Sequence, residues 1–269
     1  YSTDALRFSL ISGVSAGNDI KYMPEKLTQA SNFANKLWNA SKFVLMNLDD
    51  VQELPDINLE KLEYEDKWIL SKLNTLSKEI RENLENYDFG VAIQKIYDFI
   101  WNEFCDWYIE IVKPRLYGEN SESKLTAQTV LNKVLMDSLK LLHPIMPFIT
   151  EEIYQKLYNK DSESIMISNF PDYDLKDDFK SEEMQVEKLK DIITEIRNLR
   201  ANLNVHPSKK AELIFVTTKY TELINKSEEF LKKLGFSDKI IVQENKDGIA
   251  SNAMSIITEG LELYIPFEE

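Results

Sequence analysis

Apolar residues recur every three or four positions over long stretches of the first two-thirds of the chain. The clearest run follows Pro24, a residue suited to the first turn of a helix because its missing N–H would have no partner there. The run predicts an amphipathic helix of about seven turns. Its small and apolar positions are Leu27, Ala30, Ala34, Leu37, Ser41, Val44 and Leu48.

The same period continues beyond this helix. Further helices are predicted at 65–84, at 88–114, at 124–142 and, shorter, after Pro147. Pro114 and the His143-Pro144 pair mark two of the helix ends. Four or five long helices with short connections form a helical bundle, which we expect over residues 1–170.

The pattern changes after residue 159. The stretch 159–180 is rich in Asp, Ser and Asn and has no helical period, so we place an interdomain linker at 171–181. A further helix, from Glu182 to about Asn204, opens the second domain at 182–269. Its apolar side is formed by Leu189, Ile192, Ile193, Ile196, Leu199 and Leu203.

Strand-like segments follow that helix. They are predicted at 211–217, 240–243, 253–257 and 261–266. A helix, Tyr220 to Leu234, lies between the first two, and Gly235 is its expected C-cap. The His206-Pro207 pair is expected to form the turn between helix and strand. The fold class predicted is therefore mainly α: a helical bundle followed by a small α+β domain.

Composition narrows the class of protein. Of 269 residues, 43% are apolar and 29% charged, which supports a real core and excludes a disordered tail. No stretch approaches 18 uncharged apolar residues, so no transmembrane helix is predicted. One cysteine, Cys105, excludes a disulfide framework and a cysteine-based zinc site, and two histidines exclude a His-rich metal site.

The formal net charge of −14 argues against a nucleic-acid partner, but the charge is unevenly distributed. Residues 1–48 carry a net +2 and residues 186–210 a net +3, so two basic regions accompany an acidic remainder. The chain opens at Tyr1 without Met or an apolar leader and ends at Glu269, directly after an apolar run. We expect both ends to be cut from something longer.

A polar stripe on the first long helix is the main candidate site. At 100° per residue, Asn32, Lys36, Asn39 and Phe43 fall within about 40° of one another, opposite the core positions. A phenylalanine there leaves apolar area in water unless something covers it. Either another helix of the bundle covers Phe43, or its ring is a stacking platform for an unpaired base whose edge or phosphate Asn and Lys contact.

A second stripe lies on the helix from Glu182. Lys190, Arg197, Arg200 and Asn204 are expected to face away from its apolar side, either as a solvated face or as phosphate contacts.

The spacing of Trp, Phe and Tyr in 101–108 indicates core packing, and Cys105 there is expected to be a buried thiol rather than a nucleophile. His143 is expected to lie at a bend with its imidazole hydrogen-bonded. No phosphate-loop, dinucleotide or zinc-protease motif is present, so we assign no catalytic residue and no metal ligand.

Several strings resemble valyl-tRNA synthetases, in the order found there. YSTDALRF at 1–8 is similar to the "YGADALRF" that follows the KMSKS loop in that family. Ile and Leu synthetases share the bundle, but the 32–40 string fits the valine family best. The other strings are SGVSAGND at 12–19, NFANKLWNA at 32–40, FCDWY at 104–108, HPIMPF at 143–148, IRNLRA at 196–201 and LELYIP at 261–266.

The resemblance implies a C-terminal fragment of a class I aminoacyl-tRNA synthetase, holding the anticodon-binding bundle and the small domain after it. The HIGH and KMSKS elements, the editing domain and the coiled-coil arm of the family do not occur in this sequence. The fragment is thus expected to be catalytically inactive and to hold no cofactor, whereas the parent enzyme would use ATP and Mg²⁺. The implied partners are the tRNA(Val) anticodon loop and the catalytic and editing domains, with no DNA or membrane. The implied location is the cytoplasm.

The resemblance also implies site residues. The lysine of "NFANK" and the aromatic residue seven positions later contact the anticodon in the family, and they correspond to Lys36 and Phe43. The full set expected to bind tRNA is Asn32, Lys36, Asn39, Lys42, Phe43, Arg197 and Arg200, the two arginines on charge alone. This chain departs from its relatives at Glu25, where they can carry a basic residue. The alternatives are the same region of an Ile or Leu synthetase, or an acidic helical module that binds protein.

Overall fold

The computed structural model describes residues 1–13, 17, 19, 22–206 and 208–266. The chain divides into two units, Tyr1–Glu183 and Met184–Glu269. Parts of three predicted segments lie outside the described residues: Val14–Ala16 and Asn18 of the 12–19 string, Pro207 of the expected turn, and Phe267 at the end of the last apolar run.

The first unit is a helical bundle. Its helix α2 begins at Pro24, as predicted, and six of the seven core positions predicted for this run are at most 6% exposed: Leu27, Ala30, Leu37, Ser41, Val44 and Leu48. The helices are α1 (Thr3–Ile11), α2 (Pro24–Met46), α3 (Tyr64–Glu85), α4 (Phe89–Asp98), a π-helix (Phe99–Tyr108), α5 (Ile109–Tyr117), α6 (Ser121–Leu142) and α7 (Pro147–Tyr154).

Helix α6 is the centre of this bundle. It packs against α2, α3, α4, α5 and α7. From Ala127 to Leu142 nearly every side chain is buried, polar ones such as Gln128 and Asn132 included. Gln128 donates to the Asn47 carbonyl and to Asp50, and Asn132 donates to the Tyr158 carbonyl and accepts from the Tyr158 N–H, so both buried amides have hydrogen-bond partners.

The amino-terminal helix α1 is held by two side chains on the corner between α6 and α7. Asp4, only 4% exposed, accepts hydrogen bonds from the backbone N–H groups of Phe148 (3.3 Å) and Ile149 (2.7 Å) at the start of α7. Arg7 donates to the carbonyls of Ile145 (2.8 Å) and Pro144 (3.0 Å). A carboxylate at a helix N-terminus and a cation at a C-terminal end both match the helix dipole. Tertiary hydrogen bonds therefore fix α1.

The prediction that a helix ends at Pro114 is wrong. Residues 89–117 are helical throughout, as α4, the π-helix and α5, and Pro114 lies inside α5. Proline removes one intrahelical hydrogen bond and crowds the carbonyl four residues earlier. Burial of Ile111, Val112 and Leu116 against the bundle offsets that loss, and the helix continues to Tyr117.

The segment predicted as the linker is bonded to the bundle over much of its length. Asn74 of α3 donates to the Asp174 carbonyl (2.7 Å) and accepts from the Asp174 N–H (2.8 Å). Ser71 accepts from the Phe179 N–H at 3.2 Å. Helix α8 (Lys180–Asn202) begins here, two residues before its predicted start, and its first turn belongs to the first unit. The domain boundaries at 170 and 182 stay a prediction.

The second unit contains a four-stranded sheet in the order β2-β1-β4-β3. Strands β1 and β2 are parallel, and the other two pairs are antiparallel. Alternating burial in β4 points Leu261, Leu263 and Ile265 inward, as a half-buried strand requires. The strands are β1 (Ala211–Val216), β2 (Ser237–Gln243), β3 (Met254–Thr258) and β4 (Leu261–Ile265).

The connection between β1 and β2 is not the single helix that the sequence predicts. It consists of α9 (Thr221–Lys226) and α10 (Glu228–Leu234), separated at the buried Ser227. Gly235 caps α10 as expected, and a Cβ there would lie 2.7 Å from the Leu231 carbonyl oxygen. The close approach of the backbone therefore requires glycine at position 235. Its φ does not, because the positive φ at this helix end belongs to Phe236.

The predicted fold class is confirmed: a mainly helical bundle is followed by a small α+β unit, and the predicted strands all form within three residues of their expected starts. Within the described ranges, no helix combines the length and hydropathy that crossing a membrane would need.

Candidate nucleic-acid interface

The predicted stripe on α2 lies at the surface of the first unit. Asn32 and Asn39 are exposed, and Lys36 and Phe43 are half-buried. The partial burial arises because side chains from the segment 97–113 lie over this part of α2.

Lys36 is held by two groups of the π-helix. Its Nζ lies 2.6 Å from Oδ1 of Asp106 and 3.8 Å from the centroid of the Trp101 ring. The Lys36 side chain is 24% exposed and that of Asp106 50%. An exposed ion pair contributes about 0–1 kcal/mol and a cation–π contact about 0.5–1 kcal/mol. Both contacts favour the position of the ammonium beside the carboxylate.

The π-helix explains how Trp101 and Asp106 reach the same ammonium. In an α-helix, residues five apart point about 140° away from each other. In a π-helix the hydrogen bonds run from i to i+5, which brings such residues onto one face. The prediction of core packing for 101–108 is correct for Phe104 and Tyr108, both 0% exposed, but Trp101 is half-buried and part of the surface cluster.

Aromatic rings support this cluster from the core. The rings of Phe8 and Phe33 lie 5.1 Å apart, and those of Phe33 and Tyr97 lie 4.9 Å apart. Tyr97 stacks on Trp101 at 5.5 Å with an interplanar angle of 20°. Phe8 and Phe33 are buried, so Trp101 is positioned by rings that packing has already fixed.

Phe43 has a neighbour of its own on α5. Nζ of Lys113 lies 5.3 Å from the Phe43 ring centroid, and Lys113 also pairs with Glu110. Helix α5 thus covers part of the Phe43 ring, in line with the alternative in which another helix of the bundle covers it. The ring is still half-buried rather than enclosed. Its role in stacking stays a prediction.

Lys42 lies on a different part of α2. Its Nζ is 5.7 Å from the Trp38 ring, and Nζ of Lys156 is 5.3 Å from the same ring. These side chains line a cleft of about 430 Å³ that also includes Leu45 and Ile153. Lys42 is exposed but is not part of the Lys36 cluster.

The structure contradicts the expected orientation of the basic stripe on α8. Arg200 is 3% exposed and Lys190 7%, whereas Leu203, an expected core residue, is 41% exposed. Arg200 Nη2 donates to the carbonyls of His206 (3.1 Å) and Lys209, which lie in the connection leading to β1. The apolar stripe of α8 ends before its last turn. In that turn Arg200 binds backbone carbonyls of the connection that follows the helix.

Arg197 is half-buried and donates from Nε to the Leu234 carbonyl at 3.2 Å. Burial lowers the pKa of Arg200, whose Nε and Nη1 have no hydrogen-bond partner within the part of the chain that the structure describes. Contacts of Arg197 and Arg200 with tRNA stay predictions.

Neither Cys105 nor His143 lies in the environment of a reactive side chain. Burial raises the pKa of the Cys105 thiol to about 12, more than the nearby Lys36 charge lowers it, so the thiolate is scarce at neutral pH. His143 Nδ1 lies 2.7 Å from Thr150 Oγ1, the satisfied imidazole that the sequence predicts, and burial lowers its pKa. Across the described residues no group of three or more His, Cys, Asp or Glu side chains is placed to hold a metal ion.

A buried ionic cluster that the sequence does not reveal fixes the end of the π-helix. Arg115 Nη1 lies 2.9 Å from both Glu65 and Asp66, and Tyr108 donates to Asp66 at 2.7 Å. Burial, together with the charges of Asp66 and Glu63, raises the pKa of Glu65 to about 7. The charged residues lie on α3 and α5 and the tyrosine lies on the π-helix, and no pattern in the sequence indicates that they meet.

Comparison with known proteins places the chain in a family. A sequence profile described as "Anticodon-binding domain of tRNA ligase" matches residues 66–215. The chain resembles a leucyl-tRNA synthetase of Agrobacterium radiobacter K84, solved in a ternary complex with tRNA and LeuAMS, with a TM-score of 0.47 and 14% identity over 89% of this chain and 28% of that one.

Curated relatives match over the whole length. The chain is 47% identical to the valine–tRNA ligase of Clostridium acetobutylicum, 45% to that of Clostridium perfringens and 41% to that of Carboxydothermus hydrogenoformans. Each match covers 99–100% of this chain and 30% of the relative, so the chain spans about a third of the length of these proteins. The profile match covers more than half of the chain, and the chain therefore belongs to the anticodon-binding domain family of tRNA ligases.

Proposed function

We propose that this chain recognises the anticodon loop of valine tRNA on behalf of a valine–tRNA ligase. The family provides the class of ligand, and the relatives that match over the full chain are valine–tRNA ligases. The observation that carries the proposal is the surface cluster in which Lys36 is held between Trp101 and Asp106, beside the exposed amides of Asn32 and Asn39.

The cluster offers the chemistry that unpaired bases require. Unstacked bases are bound by aromatic rings and hydrogen-bonded at their edges, and Phe43 and Trp101 present half-buried rings near amides and an ammonium. Asp106 neutralises the charge of Lys36, so this point attracts phosphate weakly. With a net charge of −14, the chain is expected to gain its affinity from bases more than from the phosphate backbone.

The remaining assignments rest on the relatives and on charge. The parent enzyme would charge tRNA(Val) with valine, using ATP and Mg²⁺ bound by residues outside this sequence, in the cytoplasm. Binding energy at the anticodon would orient the acceptor end toward that distant active site. Lys42 and Arg197 would contribute phosphate contacts. The buried Arg200 would act through the loop that it holds.

A titration with two RNAs tests the proposal. The chain is mixed with labelled tRNA(Val) and with a copy whose anticodon is replaced, at low and at moderate salt, and binding is followed by fluorescence anisotropy. Tighter binding of the native anticodon that persists as salt rises is the expected result. Equal binding that disappears with salt would refute anticodon reading and leave only a weak electrostatic surface.

The same titration with isoleucine and leucine tRNA addresses the alternatives. A preference for either of these tRNAs over tRNA(Val) would assign the chain to a sister synthetase. Absence of binding to any tRNA would favour the acidic helical module that binds protein.

A further inference from the structure

The segment that lies over the stripe on α2 is acidic. Between residues 97 and 112 every charged side chain is a carboxylate: Asp98, Glu103, Asp106 and Glu110. Helix α2 below it carries three lysines and one glutamate. A surface that bound RNA mainly through its phosphates would need basic residues in both layers, because that attraction is electrostatic.

Both lysines that lie at the stripe are paired with carboxylates of this segment. Lys36 Nζ lies 2.6 Å from Asp106 Oδ1. Lys113, whose Nζ lies over the Phe43 ring, pairs with Glu110. In each pair the carboxylate is the more exposed side chain, at 50% against 24% in the first pair and 37% against 26% in the second. The negative partner is thus the one more accessible to an approaching polyanion.

Pairing with Asp106 affects phosphates and bases differently. An ammonium has three N–H donors, so Lys36 keeps donors for a neutral acceptor such as a base carbonyl or a ring nitrogen. A phosphate is instead attracted by the ammonium and repelled by the carboxylate. These two opposite charges are 2.6 Å apart, well within the Debye length of about 8 Å at physiological salt, so their effects on a phosphate largely cancel.

We propose that Asp106 is an internal competitor of RNA phosphates for the Lys36 ammonium, and that it weakens sequence-independent binding of RNA. The inference rests on the proposed anticodon recognition and deepens it. Attraction to phosphates is the same for every RNA, so it adds affinity without distinguishing sequences. Its suppression leaves base contacts as the larger share of the binding free energy and lets bound RNA dissociate faster.

The fold supports Asp106 as a competitor although the ion pair is exposed. The π-helix places Trp101 and Asp106 on one face, and Trp101 stacks on Tyr97 at 5.5 Å. Lys36 Nζ lies 3.8 Å from the Trp101 ring centroid, so the ring and the carboxylate favour the same position of the ammonium. A phosphate that binds Lys36 must therefore replace a contact that the ring helps to maintain.

Replacing the carboxylate with its amide isolates the effect of the charge. Asp106→Asn keeps an oxygen that accepts a hydrogen bond from Lys36 and removes the negative charge. Asp98→Asn is the matched control, because Asp98 is exposed in the same segment and bonds Gln94 instead of a lysine. Lys36→Met, alone and combined with Asp106→Asn, removes the ammonium for which the carboxylate competes.

Three RNAs serve as probes: the anticodon stem-loop of valine tRNA, the same stem-loop with its anticodon replaced, and an oligouridylate. Fluorescence anisotropy gives Kd for each at several salt concentrations. Asp106→Asn is expected to bind all three about two- to fivefold more tightly at low salt. The slope of log K against log salt should become steeper by about 0.7, the contribution of one phosphate contact on a single strand.

The controls are expected to separate this effect from net charge and from folding. Asp98→Asn should leave Kd and the salt slope close to those of the unaltered chain, and Asp106→Asn should bring no gain in the Lys36→Met background. Circular dichroism melts should show all variants folded at the assay temperature, since both aspartates are exposed and Lys36 is half-buried.

The outcomes that overturn the inference differ in what else they remove. If the unaltered chain binds none of the three RNAs, the proposed function fails and the inference fails with it. If it prefers the native anticodon and Asp106→Asn leaves binding unchanged or weaker, only the role of Asp106 fails. An equal gain from Asp98→Asn, or a gain from Asp106→Asn that persists without the Lys36 ammonium, would also refute competition for Lys36 while leaving anticodon recognition in place.

Discussion

Replacing Phe43 with alanine separates a stacking platform from a core residue. Stacking of a base on an aromatic ring contributes about 1–3 kcal/mol, so losing the ring should raise the Kd for the valine anticodon loop by about 5- to 150-fold. The ring is half-buried under Lys113 and not enclosed. Its contribution to folding should therefore be well below the 3–5 kcal/mol typical of a buried Phe→Ala change, at about 1–2 kcal/mol.

The two quantities are measured on the same protein preparations. Fluorescence anisotropy of a labelled anticodon stem-loop gives Kd, and circular dichroism melting gives Tm. For a unit of this size a loss of 1–2 kcal/mol lowers Tm by about 2–8 °C, which leaves Phe43→Ala folded at room temperature. Phe43→Trp keeps a stacking ring and should restore binding.

Phe148→Ala is the matched control. Phe148 is a phenylalanine of the same unit, 65% exposed at the start of α7, and its loss should change neither Kd nor Tm appreciably. Unchanged binding by Phe43→Ala, or binding that weakens only because the protein melts near the assay temperature, would refute the stacking role.

Other substitutions test the supports of the site. Glu65→Gln should flatten the pH dependence of the free energy of unfolding. Because the pKa of Glu65 is raised in the folded chain, this residue contributes stability below about pH 4.5 that is lost as pH rises through about 7. Urea unfolding at several pH values measures this change. Asp4→Ala should lower the free energy of unfolding by about 1–2 kcal/mol through loss of the α7 cap, visible by denaturant titration, with Asp4→Asn milder. Arg200→Ala should lower the Tm of the second unit while leaving stem-loop binding to Lys36 unchanged, measured by melting and anisotropy.

Periodicity alone predicts the elements whose burial follows a single period. Helices α2 and α3 are predicted to within two residues and α6 to within three, because the apolar positions of each face one core. Helix α1 is not predicted by its apolar spacing, since Asp4 and Arg7 hold it through groups about 140 residues away. No local pattern carries that information.

The candidate site also has one part that the sequence predicts and one part that it does not. The half on α2 follows from rotating the sequence by 100° per residue, which brings Asn32, Lys36 and Asn39 together. The half supplied by Trp101 and Asp106 requires a π-helix, and residue propensities do not distinguish i+5 from i+4 hydrogen bonding. Similarly, charge spacing cannot show that Arg200 turns inward, because the carbonyls it binds belong to a loop outside the helix.

The contacts of Lys36 also have a consequence for conformational entropy. A free lysine side chain loses up to about 2 kcal/mol of rotamer freedom when it is immobilised. Here Asp106 and Trp101 already restrict the rotamers of Lys36 in the folded chain, so a ligand that bonds to the ammonium has little of that loss left to overcome. The loss is incurred during folding, and hydrogen bonds to Lys36 contribute more of their free energy to binding than those to an unrestrained lysine would.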